Sequence, residues 1–166
     1  MLSSRAQQTG GASRIRACAA RPPPSVVASA IVMMEFGHAV GRIATVRFLA
    51  PLTEDEVFAL GFKARSLFTQ VARPAVFCTD VRAAGVLPTG VAERLIQMMR
   101  ADNPGVERNA LLVGDGSLLA LQFDRMLREA AHPGRRTFRD PGAAITWLSE
   151  VLDLHEQAAL RTFLSR

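Results

Sequence analysis

The chain has 166 residues, of which 49% are hydrophobic and 21% charged, the length and composition of one globular domain with enough apolar material for a core. Its net charge of +5 invites a nucleic-acid reading, yet Arg5, Arg14, Arg16 and Arg21 all fall among the first 33 residues, where there is no Asp or Glu. The rest is close to neutral and lacks the clustered basic surplus that phosphate-backbone binding needs, and no apolar run approaches the roughly 20 residues of a membrane-spanning helix.

Residues 1–33 are rich in Ser, Ala, Arg and Pro, include Pro22-Pro23-Pro24 and show no hydrophobic periodicity. They are expected to be a disordered leader, set apart from a single domain over residues 34–166. A transit peptide would have this Arg-rich, acid-free composition. A secretory signal fits less well, because Ala28-Ser29-Ala30 sits inside the apolar patch instead of after it. The favoured expectation is a start assigned too early, with Met33 or Met34 opening the protein. Cys18 and Cys78 make no disulfide framework and have no metal-ligand neighbours, which points to a reducing cytoplasm. Lys63 is the sole lysine, and the wealth of Arg, Ala, Gly and Pro suggests a GC-rich bacterial genome.

Met34 to Val40 and Arg42 to Leu49 read as two strands about a turn near Gly41. Thr53-Glu54-Asp55-Glu56 is a capping box for a helix carrying Val57, Leu60, Ala64, Leu67 and Val71 at helical spacing. Pro74 ends it and Ala75 to Thr79 form a strand. Pro88 opens the next helix, with Val91, Leu95, Met98 and Met99 on one face. Asn109 to Val113 form a further strand, and Gly114-Asp-Gly-Ser117 turns into a helix with Leu119, Phe123, Met126 and Ala130 on one side. After Pro133-Gly134 come a short strand over Arg136 to Phe138, an Asp140-Pro141 helix start with Ala144, Trp147, Leu148 and Val151, and a last helix from Leu154 to Leu164. Strands alternating with helices at this spacing predict an α/β domain: a mostly parallel sheet with right-handed crossovers, entered by a hairpin.

Three segments carry a resemblance to a known family. They are Cys78-Thr79-Asp80-Val81-Arg82 at the end of the central strand, Ala110-Leu111-Leu112-Val113, and Phe138-Arg139-Asp140 leading into Ala144 and Trp147-Leu148. Together they resemble the SpoIIAA-like branch of the STAS domain superfamily over roughly residues 34–151. The resemblance implies a mixed, mostly parallel sheet of four or five strands with helices packed mainly on one face. It also implies a non-enzymatic module that binds protein partners and is in some members switched by phosphorylation. The switchable members carry an Asp-Ser-Ser-Gly-like stretch after the central strand. Here Asp80-Val-Arg-Ala-Ala-Gly-Val-Leu-Pro-Thr89-Gly90 has no serine, and Thr89 is the only hydroxyl near that helix start.

Asp80 and Arg82 leave the carboxyl end of a central strand, where open α/β sheets place ligands; equally, Asp80 can cap the turn and pair with Arg82. Gly114 to Ser117 can cradle an anion at a helix N-terminus or form a turn with Asp115 or Ser117 as N-cap. Cys78 lies in an apolar strand, as an inert thiol would. His38, His132 and His155 fall in separate elements without ligand spacing. Arg135, Arg136 and Arg139 form a basic cluster beside a short strand, guarding an edge or meeting an acidic partner or anionic lipid. Phe58 and Phe62 stand off the apolar face of their helix, either sandwiched in the core or exposed for a partner.

The sequence thus predicts a partner-binding surface of Asp80, Arg82, Thr89, Asp115 and Ser117, with Phe58 and Phe62 as a possible homodimer contact. The partner is another protein or a second copy, and no catalytic set, metal set or cofactor motif stands out. The first alternative is a carrier of a small apolar or lipid-like ligand, for which a cavity between the sheet and the Met98/Met99 helix is the signature. The second is an enzyme or sensor taking a phosphorylated metabolite at Gly114–Ser117.

Overall fold

The structure, a computed structural model, describes residues 34–37, 39–49, 51–71, 74–115 and 118–166. The leader over residues 1–33, His38, Gly116 and Ser117 lie outside the described residues. The described elements are β1 (Met34–Phe36), β2 (Ile43–Phe48), α1 (Glu54–Gln70), β3 (Ala75–Asp80), α2 (Thr89–Asp102), a 3-10 turn (Asn103–Gly105), β4 (Val106–Leu112), α3 (Leu118–Ala130), β5 (Arg135–Phe138), α4 (Pro141–Ser149) and α5 (Leu154–Leu164).

The strands stand in sequence order, β1 antiparallel to β2 and the rest parallel. This is the mixed, mostly parallel α/β sheet that the sequence predicts. A sheet growing strand by strand in one direction through right-handed crossovers puts every crossover helix on the same face. That face carries Val46, Phe48 and Leu111 against Val57 and Leu60 of α1, Val91, Leu95 and Met99 of α2, and Leu119, Phe123 and Met126 of α3. The chain then leaves β5 and covers the opposite face with the shorter α4 and α5. There Ala144, Leu148, Leu160 and Phe163 pack on Ile43, Val76, Cys78, Ala110 and Leu112. Leu148 and Leu160 are fully buried, each such burial contributing about 1.5–3 kcal/mol. Helix on both faces explains why β3 reads as an unbroken apolar run: Val76 and Cys78 serve one core, Ala75 and Phe77 the other.

Local signals hold each element in place. Thr53 N–H donates to Glu56 Oε2 at 2.7 Å and Glu56 N–H to Thr53 Oγ1 at 3.4 Å, the capping box expected for α1. Asp140 accepts from Gly142 N and Ala143 N at the start of α4. α5 has a capping box of its own, Asp153 with Glu156. Glu156 is buried and its other oxygen accepts from Arg42 N at 2.6 Å. It thereby ties α5 to the turn at Gly41, whose φ of +56° suits glycine.

Two strand boundaries differ by three residues or more, the first being β1, which ends at Phe36 instead of Val40. β4 begins at Val106, three residues before Asn109. Glu107 and Arg108 look like loop because they are charged, but each is paired: Arg42 Nη1 lies 2.8 Å from Glu107 Oε2, and Arg108 Nη1 lies 2.8 Å from Glu150 Oε2. A register shift between Ala75 and Val76 accommodates the extra residue.

Candidate functional site at the carboxyl edge of the sheet

Because β2 to β5 are parallel, their carboxyl ends share one edge, and the loops that follow them define a single surface. Asp80 closes β3 and is only 3% exposed. Its Oδ1 accepts from Arg82 N at 3.2 Å and Arg82 Nε at 2.9 Å, while Oδ2 accepts from Arg82 Nη2 at 2.7 Å and Arg47 Nε at 3.2 Å. Burial pushes the carboxyl pKa up, but the hydrogen bonds and charge of Arg82, with a further bond from Arg47, more than reverse it, leaving the group below its ordinary value. Arg47 also donates to the Phe163 carbonyl at 2.7 Å and lies over the Phe163 ring at 4.6 Å. Asp80 therefore joins β3 to β2 through Arg47, which itself reaches α5, and Arg82 is the member of the Asp80–Arg82 pair that reaches solvent.

Thr89 is exposed at the first residue of α2, and no side chain caps that helix. A Cβ on Gly90 would lie 2.4 Å from Glu54 Oε1, so the Glu54 carboxylate sits against the amino end of α2, where an anion would be favoured. Asp115 is exposed in the turn after β4. Ser117 and Gly116 are outside the described residues, and the cradle drawn from Gly114 to Ser117 has no geometry here.

The edge also carries residues that sequence reasoning missed. Val86 is 54% exposed, Leu118 60% and Leu121 64%. Gln122 brings them together: its Oε1 accepts from Leu87 N and its Nε2 donates to Leu87 O, both at 2.9 Å. The loop after β3 is thus clamped to the first turns of α3, beside Leu118 and Leu121. Gly85, at φ +67° and facing Pro51, allows the loop its bend. The missed signal was legible: Leu118 and Leu121 are left over once Leu119, Phe123 and Met126 take the buried face of α3.

Phe58 and Phe62 lie elsewhere, on the outer surface of α1. Of the two readings the exposed one is observed: the rings are 58% and 61% exposed and stack edge-on at 5.1 Å. They border a groove between α1 and α2 with Arg65, Arg94 and Met98. The basic cluster of Arg135, Arg136 and Arg139 divides. Arg135 is buried, donating to Asn103 Oδ1 at 3.0 Å and Met99 O at 3.1 Å, whereas Arg136 lies over the Trp147 ring at 5.1 Å on the other face. Successive strand residues point to opposite faces, so the run could not be one patch.

Cys78 is fully buried; desolvation, with the Asp80 charge, pushes its thiol up to about 12. The His132 imidazole is shifted down by burial and by Arg135, and its Nδ1 accepts from Gly134 N. Among the described residues no group of three His, Cys, Asp or Glu converges on a metal position, and no helix is long and apolar enough to cross a membrane. Between the sheet and α1, α2 and α3 lies a cavity with about 80 Å³ of room for the centres of water-sized molecules. Phe77, Leu95, Met98, Met99 and Phe123 supply apolar walls, and Thr79, Asn109, Asp102 and Arg135 a polar end.

This arrangement is a SpoIIAA-like α/β fold. A solved structure of an uncharacterised DUF3478-family protein with a SpoIIAA-like fold from Shewanella loihica PV-4 matches with a TM-score of 0.55 at 15% identity, over 69% of this chain and 93% of that one. The anti-sigma factor antagonist SpoIIAA in its unphosphorylated form matches with a TM-score of 0.52 at 12% identity, over 72% of this chain and 99% of that one. No protein-family model matches the chain, and no curated protein does.

Proposed function

We propose that the protein is a non-enzymatic regulatory module of the cytoplasm that binds a protein partner through the carboxyl edge of its sheet. The observation that carries this reading is the clamp of Gln122 on Leu87, which holds exposed Val86, Leu118 and Leu121 on one fixed surface. Apolar side chains presented on a rigid loop and helix bind with little ordering cost. Arg82, oriented by Asp80, adds a directional donor group at the same edge. The partner called for has an apolar contact ringed by hydrogen-bond acceptors. That one of the structural neighbours is an anti-sigma factor antagonist accords with a protein partner.

The test is native mass spectrometry of the protein isolated from its own host, beside Val86→Glu and Leu118→Glu forms. A discrete hetero-assembly that both substitutions abolish, with thermal unfolding unchanged, is the expected result. Assemblies that survive both changes would refute this surface.

A second reading, a carrier of a small apolar ligand, is favoured by the cavity beneath Met98 and Met99. The phosphorylated-metabolite reading depends on residues 116 and 117, which lie outside the described residues.

A further inference from the structure

We infer that the cavity between the sheet and α2 is a binding site for a small apolar molecule bearing one hydrogen-bond-accepting oxygen, a carboxylate or carbonyl, which Asn109 and Arg135 receive. The inference deepens the ligand-carrier reading and is independent of the carboxyl edge.

Three observations lead to it. First, the space is real but small. About 80 Å³ exceeds what one water needs and is roughly half of a cavity that admits benzene. Two of its walls are Met98 and Met99, whose unbranched side chains change shape at low cost. An occupant of a few carbons fits as it stands, and a swing of the methionines extends the limit.

Second, the floor is polar in one place only. Asn109 and Arg135 are register partners on β4 and β5, and Asn109 pairs with Phe77 on β3. Asn109 is 8% exposed and its Oδ1 accepts from Thr79 Oγ1 at 3.2 Å. Its Nδ2 donates to none of the described residues. That amide N–H borders the cavity and is open to an acceptor placed there. Arg135 stands beside it with Nε and Nη2 committed to Asn103 and Met99. Desolvation weakens its charged form, and the attraction of Asp102 offsets only part of that. An oxygen placed between the two would satisfy the amide and solvate the guanidinium.

Third, there is a way in. Met98 and Asp102 line both the cavity and the outer groove between α1 and α2, where Phe58 and Phe62 stand. Displacing the Met98 side chain joins the two spaces, and the aromatic pair offers an apolar approach.

The experiment measures binding of hexanoate and of benzene to the full chain by ligand-observed NMR and by thermal midpoint. Asn109→Leu removes the donor with little change of volume, and Met98→Trp fills the cavity mouth. Both probes are expected to bind the unaltered protein and to raise its midpoint. Asn109→Leu should weaken hexanoate about tenfold or more and leave benzene unchanged. Met98→Trp should abolish both, with an unaltered circular dichroism spectrum. If Asn109→Leu does not fold, Asn109→Asp keeps the shape and repels the carboxylate, with the same expected split between probes. Benzene binding with no dependence of hexanoate on residue 109 overturns the acceptor site and leaves the carrier reading standing. Failure of both probes at about 10 mM, a concentration that reports even weak affinities, overturns both.

Discussion

Arg47 and Asp80 stand opposite each other in the parallel register of β2 and β3 and are joined by an ion pair at 3.2 Å. Arg47 continues to the Phe163 carbonyl, so a residue that the sequence places on a partner-binding edge is chiefly a fastening between two strands, with α5 close by. Removing one partner of a buried pair leaves the other charge uncompensated. Asp80→Ala is accordingly expected to cost about 2–4 kcal/mol in urea denaturation, followed by the fluorescence of Trp147, the single tryptophan. A cost below about 0.5 kcal/mol, the level of an ordinary surface substitution, would show that the pair is only decorative.

The same carboxylate predicts an acid limb. Its pKa lies below the ordinary value in the fold and near ~3.9 in the unfolded chain. A depressed folded pKa contributes stability that is fully present above the unfolded value and is lost as pH falls through the folded one. Urea midpoints taken from about pH 6 down to about pH 2 should fall, and Asp80→Asn should flatten that part of the curve. An identical slope in the variant would assign the acid limb to other carboxylates.

Cys78 should be inert. With its thiol pushed up to about 12 by desolvation and the Asp80 charge, the thiolate that alkylating reagents need is scarce at neutral pH. Iodoacetamide is expected to label the Cys78 peptide only after denaturation, as read by mass spectrometry. Labelling of the native protein on the scale of minutes would mean that the region around β3 opens.

Phe58 and Phe62 carry a separate prediction about self-association. An exposed edge-on aromatic pair on a helix is a self-complementary patch of the kind a two-fold contact uses. Sedimentation velocity should show a concentration-dependent dimer, and Phe58→Ser with Phe62→Ser should remove it. Stability should change by no more than about 0.5 kcal/mol per site. A monomer at all concentrations in both forms would end this assignment.

How much was visible beforehand depended on which force placed each residue. Hydrophobic period and caps located the helices and the sheet type: Thr53 with Glu56, Asp140 before Pro141, and Leu119 with Phe123 and Met126 all do in the structure what their spacing requires. Charged pairing across distant segments was not legible. Arg108 meets Glu150 and Arg42 meets Glu107 only once the sheet exists, so the first half of β4 looked like loop. Arg135 was misjudged for the same reason, since its burial depends on carbonyl and amide acceptors at the end of α2. The site was half legible. Asp80 and Arg82 announced the edge. In its apolar part, Leu118 and Leu121 were readable as the leucines that the buried face of α3 leaves over, whereas Val86 joins them only through the Gln122 bonds to Leu87.

Gln122 decides whether that apolar part is a surface or a loose loop. Its amide makes both hydrogen bonds of Leu87, donor and acceptor, at 2.9 Å. Replacing it with Ala should cost about 1–2 kcal/mol, and the larger effect should be dynamic. Without the clamp, the loop over residues 85–88 is free to sample other shapes and must be ordered again on binding. Hydrogen exchange at the Leu87 amide is expected to accelerate selectively, while the amides of β3 stay protected. Partner association should weaken with Leu118 and Val86 both still present. Unchanged exchange at Leu87, or full association in Gln122→Ala, would mean that the edge is held by the strand ends alone and that the clamp has no part in recognition.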